Sequence, residues 1–366
     1  MPTTPQIRIA VVGLRFGSDF VPIYQRHPNV SGVVLCDPDE QSLAQAGERF
    51  GITERYTRLE DVLTDGVCDA VHIVSPVRFH ATQVLAVLEA GKHCACAVPM
   101  AIKEEDLRAI IAAQRHSGKN YMMMETAVYT REFLYVKQLQ EEGALGKLTF
   151  LRGAHIQDIE GLPDYWRGYP PMHYITHALS PLLALTGTRA AKVFCLGSGT
   201  LRDDLRSPEG NPFPLETALF RLAGTDLAAE VTMSFFQNAR PYSESFSVYG
   251  DRSGFEWQQL EHDDALLFRL EDLPPGRRGR PVTHTRISPP FRRDLLPAEI
   301  ADFTVNGGHG GSHPHLVHEF VSSIIEERAP AVDAVTAANW TAAGLCAHQS
   351  ALRDGEPVLV PDFAAG

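Results

Sequence analysis

The stretch Ile7–Phe20, IRIAVVGLRFGSDF, decides the fold. Apolar, β-rich residues run into Gly13, a turn and then a helical pattern. That is how a dinucleotide-binding Rossmann unit begins. In a G-x-G-x-x-G turn the second and third glycines would stand at positions 15 and 18, which here hold Arg15 and Ser18. A side chain at 15 must swing aside from the pyrophosphate or pair with it. Three readings follow: a surface arginine tolerated by a wider turn, a direct arginine–pyrophosphate contact, or a turn that holds its cofactor less well. Asp37 closes the second strand about 20 residues on, where an acid binds the ribose hydroxyls of NAD. Asp37-Pro38-Asp39 offers a 2′-phosphate only negative charge, which favours NAD over NADP.

Outward from this turn, strand runs at Ile7–Val12, 30–36, 70–74, 93–97 and 121–124 alternate with helical stretches at 20–26, 41–50, 57–65, 80–90 and 104–116. Regular alternation implies parallel pairing with right-handed crossovers, the doubly wound α/β pattern. After Glu125 the pattern changes. A helix over 131–142 and a strand in GKLTFLRGAHIQD precede a Pro/Tyr/Trp-rich segment and a helix over 174–185. Four alternating stretches with glycine turns then predict a largely antiparallel, open sheet. Residues 260–312 read as loop-dominated, and helices over 315–327 and 335–353 close the chain. The predicted domains are a Rossmann unit over 1–125 and a C-terminal α+β domain over 126–366.

The formal charge of −12 argues against a nucleic-acid binder. No apolar run reaches the ~18 residues of a membrane span, and MPTTPQIRIA lacks a secretory h-region. Six scattered cysteines form no C-x-x-C pair, which fits a reduced, cytoplasmic protein. An open sheet needs covering, so a homo-oligomer is expected.

Further motifs run in order along nearly the whole chain: DAVHIVSPVRFHA (Asp69, Pro76, His80), LEAGKHCACAVPMA, EEGALGKL and ALRDGEPVLVPDF. With the first turn, they make the sequence resemble the Gfo/Idh/MocA oxidoreductases, which bind NAD(P) and act on sugars or cyclitols. Two departures stand out. The family's Glu-Lys-Pro is here Ala97-Val98-Pro99, and its D-x-x-x-H is His173-x-x-x-His177. These changes resemble the NAD-dependent glycoside hydrolase branch. That branch has Glu-Val-Pro, and its Met-Leu-Glu-Asn is matched by Met123-Met124-Glu125-Thr126. Its Gly-Ala-Tyr-x-x-Asp is matched by Gly153-Ala154-His155-Ile156-Gln157-Asp158, and its Tyr-Pro-Thr-His by Tyr174-Ile175-Thr176-His177. Its Gly-His-Gly-Gly is matched by 308–311. Ala97, Thr126 and His155 depart from it.

The resemblance implies NAD contacts from Gly13, Arg15, Phe16, Gly17, Asp37, Ser75, Pro76, His80, Val98, Pro99 and Glu125. It also implies a redox-neutral reaction: oxidation at a ring carbinol, elimination of the anomeric substituent, addition of water, and return of the hydride. Histidine titrates near neutrality and suits such acid/base work. His177 is the first candidate, against a core histidine; Tyr174 could share its proton or be a buried aromatic. His155 could take the carbon-bound proton or be a solvated strand residue. Tyr165, Trp166 and Arg167 read as a sugar-facing wall or as loop packing. His173, His309 and His313 are candidate sugar contacts. The histidine-rich GGHGGSHPHLVHEF lacks recognised metal spacing, so no metal is expected. The alternatives are a net NAD-dependent sugar dehydrogenase and a cofactor-poor sugar-binding or regulatory relative.

Overall fold

A computed structural model describes residues 5–207, 210–306 and 308–364. Residues 1–4, where the reading of the N-terminal leader begins, lie outside the described residues. The chain forms two compact units, Met1–Thr130 with Phe291–Ala338, and Arg131–Pro290 with Asn339–Gly366. Residues 291–338, assigned from sequence to the C-terminal domain, therefore group with the first unit. The reason is packing: Leu316, Val317, Phe320 and Val321 of the helix His313–Ile325 join the core made by Ile9, Val11, Phe20, Tyr24 and Leu35. Each such side chain contributes about 1.5–3 kcal/mol on burial, which outweighs proximity in sequence.

The first unit holds six parallel strands: β1 (Ile7–Val12), β2 (Val30–Cys36), β3 (Arg55–Tyr56), β4 (Ala70–Ile73), β5 (His93–Cys96) and β6 (Tyr121–Met123). Their order is β3-β2-β1-β4-β5-β6, the doubly wound order with its reversal between β1 and β4. β1 is buried on both faces, as its unbroken apolar run requires. The crossover helices are punctuated locally. Asp39 caps Glu40–Phe50 through the Gln41 amide, and Gly51 and Gly118 end helices in the left-handed conformation.

The second unit is a nine-stranded sheet of β7 (Leu148–Ile156), β8 (Ala190–Ser198), β9 (Leu215–Leu222), β10 (Ala228–Ser234), β11 (Ser243–Gly250), β12 (Ser253–Glu256), β13 (Ala265–Leu270), β14 (Val282–Ile287) and β15 (Val358–Leu359). The order is β14-β13-β12-β11-β7-β10-β9-β8-β15, antiparallel except for β7 with β10. One face carries the helix Thr176–Thr186 on β7, β10 and β11. The other leaves Phe194, Leu196, Leu219 and Leu359 exposed. The stretch 260–312, expected to be loop-dominated, contains a β-hairpin and short helical turns. β13 and β14 pair over six positions, short helical turns occupy 298–301 and 303–306, and 308–311 is a kink with left-handed backbone at His309 and Gly310. The prolines and glycines mark the turns around this hairpin rather than an absence of strands. No described helix is long and apolar enough to cross a membrane.

Candidate active site

In the first unit the strand ends build a cradle at the carboxyl edge of the sheet. Gly13 follows β1 at φ 91°, and a Cβ there would lie 2.7 Å from the Val74 carbonyl oxygen. Only a bare backbone lets this turn pass so close to the end of β4. The Gly13 amide donates to Cys36 (2.9 Å), and the Leu14 amide to Asp37 Oδ2 (2.7 Å). Asp37 thus ties the ends of β1 and β2 and remains 9% exposed. Arg15 is exposed. Asp39, whose carboxyl is held down first by the Ser42 hydroxyl, also feels the Arg15 charge. Phe16 packs edge-on against Phe20, His309 and His313 at 5.6, 5.7 and 5.6 Å.

Ser75 and Pro76 follow β4, and Val98 and Pro99, joined by a cis bond, follow β5. His80 connects these two loops: Nδ1 lies 2.8 Å from the Pro99 carbonyl and Nε2 2.9 Å from that of Ser75. Burial lowers its pKa, while both carbonyls favour the protonated ring. Val98 is buried, and fully buried Glu125 accepts the Ala127 amide at 2.9 Å. His309 has left-handed backbone, φ 51°. His313 is 1% exposed, its ring 4.4 Å from Phe20, and burial pushes its pKa down to about 3.

In the second unit a compact cluster of titratable side chains forms around His155 and His177. His155 stands on β7, and His177 is the second residue of the helix Thr176–Thr186. A Cβ on Gly153 would lie 2.1 Å from the Ala178 carbonyl oxygen. This glycine therefore sets how closely the helix seats on β7. The two imidazoles are 5.5 Å apart, and the Tyr174 ring lies 4.9 Å from His177 and 6.0 Å from His155. Tyr174 belongs to a separate 3₁₀ turn, Pro171–Tyr174. Glu244, directly opposite His155 in the β11–β7 register, brings Oε1 to 3.8 Å from His177 Nε2 and 4.0 Å from His155 Nε2. Its side chain is 10% exposed and accepts the Tyr242 hydroxyl. Gln157 Oε1 lies 3.2 Å from His155 Nε2.

Trp166 packs on Tyr165, Tyr169 and Tyr174, so the aromatic segment abuts the cluster; Arg167 is exposed. His173 turns to His348, ring to ring at 5.0 Å, and burial followed by the His348 charge pushes its pKa down to about 3. Fully buried Glu216 meets His348 Nδ1 at 2.7 Å and accepts the Met172 amide at 2.9 Å, anchoring the turn that carries Tyr174. Among the described residues no group of three or more His, Cys, Asp or Glu could hold a metal ion.

Glu244, Tyr242 and Glu216 escaped the sequence reading. ESFSVYG showed only a strand's alternation, and a carboxylate on it gains meaning from the strand it pairs with, 89 positions away in the case of His155 and Glu244.

Two family models match the chain. "Oxidoreductase family, NAD-binding Rossmann fold" covers residues 7–125, and "Glycosyl hydrolase 109, C-terminal domain" covers residues 228–366. Similar curated proteins include a glycosyl hydrolase family 109 protein of Stenotrophomonas maltophilia, 22% identical over 100% of this chain and 92% of that protein. One of Shewanella sp. is 25% identical over 100% and 86%. Among solved structures, levoglucosan dehydrogenase in complex with NADH and L-sorbose is 20% identical with a TM-score of 0.81, covering 98% of this chain and 100% of that one. An Agrobacterium radiobacter oxidoreductase in complex with NAD+, L-tartaric acid and magnesium is 18% identical with a TM-score of 0.74, covering 98% and 99%.

Proposed function

We propose that this chain, which matches an NAD-binding oxidoreductase model over residues 7–125 and a glycosyl hydrolase 109 C-terminal model over residues 228–366, is an NAD-dependent carbohydrate-active enzyme whose net reaction is redox-neutral glycoside cleavage. The observation that carries this reading is the pair of buried imidazoles, His155 and His177, sharing Glu244, in a chain whose lysine position is Val98. A net dehydrogenase needs one acid/base group at one carbinol. Oxidation, elimination, addition and reduction need groups for a hydroxyl proton, a carbon-bound proton and a leaving group.

The first unit fits NAD. Its turn, Asp37, Ser75–Pro76 and Val98–Pro99 all stand at the carboxyl edge around the strand reversal, where a dinucleotide binds. Asp37 would hold the adenosine ribose and Glu125 the nicotinamide end. Bound there, NAD would supply a reversible hydride acceptor for a sugar carbinol. His177 takes the hydroxyl proton, with Tyr174 against its ring. His155 takes the proton from the carbon beside the new carbonyl, after which the anomeric substituent leaves. Trp166 and Tyr165 offer flat faces to a sugar ring, and Arg167, His173, His309 and His313 remain candidate hydroxyl contacts. A second copy of the chain covers the open sheet face.

The test is the protein as purified, with a panel of p-nitrophenyl glycosides. NAD identified by mass spectrometry and p-nitrophenol release without soluble NADH support the reading. Stoichiometric NADH from a free sugar favours a net dehydrogenase, and an intact fold with no NAD binding leaves a cofactor-poor relative. His177→Ala should lose turnover by about 10²–10⁴-fold while retaining NAD; preserved turnover would remove His177 from the mechanism.

A further inference from the structure

We propose that His27 and His318 form an acid-sensitive latch, which seats the second half of the helix His313–Ile325 on the core of the first unit while both rings are neutral and loosens it when the pair takes up a proton. His27 caps the C-terminus of the helix Val21–Arg26, and His318 lies on the helix His313–Ile325. His27 Nε2 and His318 Nδ1 are 3.1 Å apart. The backbone fixes which ring donates. The Asn29 amide donates to His27 Nδ1 at 3.2 Å, so the proton of neutral His27 sits on Nε2 and points at His318 Nδ1. The Ser322 hydroxyl lies 3.2 Å from that same His318 nitrogen.

An extra proton on this pair cannot be placed without losing a bond. On His27 Nδ1 it confronts the Asn29 amide. On His318 Nδ1 it confronts the His27 N–H, and if His27 moves its own proton to Nδ1 to accept instead, the Asn29 bond is lost. Burial first, then His318, pushes the His27 pKa down to about 4, and burial lowers that of His318. Glu319 and Glu326 favour a proton on His318, and Arg328 opposes it. His315, one turn earlier, is pushed down to about 4 by burial, then by His318 and Arg292, with Asp294 opposing. Arg26, beside His27, stacks on Phe303 at 5.2 Å. His27 is 2% exposed and His318 half-buried, so the pair meets solvent at His318.

Phe320 and Val321 follow His318 into the core. The same helix begins at His313, whose ring lies 4.4 Å from Phe20 at the end of the cofactor turn. The latch therefore makes the seating of an element behind that turn depend on pH. Once released, a ring returns to its ordinary value of about 6.5, so the open form binds more protons and gains below that value.

The experiment is hydrogen–deuterium exchange of the full chain, corrected for the intrinsic pH dependence of exchange. Between about pH 7.5 and 5.5, opening of amides 318–325 should rise about tenfold from His27 alone, and that of the helix Glu104–Ser117 in the same unit should rise less. In the double variant His27→Gln, His318→Asn an amide N–H replaces the donor, an amide oxygen replaces the acceptor, and neither side chain titrates, so the excess rise should disappear. A pH-independent opening in the unsubstituted protein, an equal rise in both helices, or an undiminished rise in the folded double variant would overturn the proposal. So would ¹⁵N-histidine spectra that place the His27 proton on Nδ1 at neutral pH, a readout that stands even if the double variant does not fold.

Discussion

Arg15 occupies the position at which a bare glycine backbone would admit a pyrophosphate. Arg15 is exposed, and its charge acts on Asp39. A charge-assisted bond to phosphate is worth about 1.5–3 kcal/mol, so Arg15→Ala should weaken NAD binding by roughly tenfold or more in calorimetry. Unchanged affinity would mark a surface arginine. Gly13, Asp37, His155, Tyr174 and His177 stand out in the sequence as candidates because each sits in a short motif read along one segment. Glu244 does not, because nothing local distinguishes it from other carboxylates on exposed strand faces.

The helix Thr176–Thr186 brings His177 to His155 only because β7 offers Gly153 beneath Ala178. Gly153→Ala should push the helix outward and cost about 1–3 kcal/mol, seen as a lowered thermal transition, with turnover reduced and NAD retained. The turn before that helix is anchored from below by Glu216. Glu216→Ala leaves the buried Met172 amide without its acceptor, a loss of about 1–3 kcal/mol that should lower the midpoint of urea unfolding. Strands β1, β2 and β7 were plain from periodicity. The β13–β14 hairpin was not: β14 is almost entirely exposed, so it lacks the apolar alternation by which a half-buried strand is recognised.

Both units bury histidines in the neutral state. Burial holds His72, His173 and His313 down at about 3, below the unfolded value of about 6.5. Between these values the unfolded chain binds more protons, so stability falls as pH drops through about 6.5. Each ring contributes about 1.4 kcal/mol per pH unit over that window. Thermal unfolding temperatures should decline steadily between pH 7 and 5; a flat profile would contradict the buried neutral rings. On the open sheet, Phe194 pairs with Leu219 beside Leu196 and Leu359. Leu219→Lys should therefore shift the sedimentation of the protein toward monomer if a second copy covers that face.

The alternation of strands and helices, the cofactor turn and the histidine motifs were legible in the chain, because each is set by residues within a few positions of one another. Where residues 291–338 pack, which carboxylate meets the two imidazoles, and which way His173 turns were decided by the tertiary structure. Those outcomes depend on register and close approach between segments far apart in sequence, where burial and contact distance choose among partners that local pattern leaves equivalent.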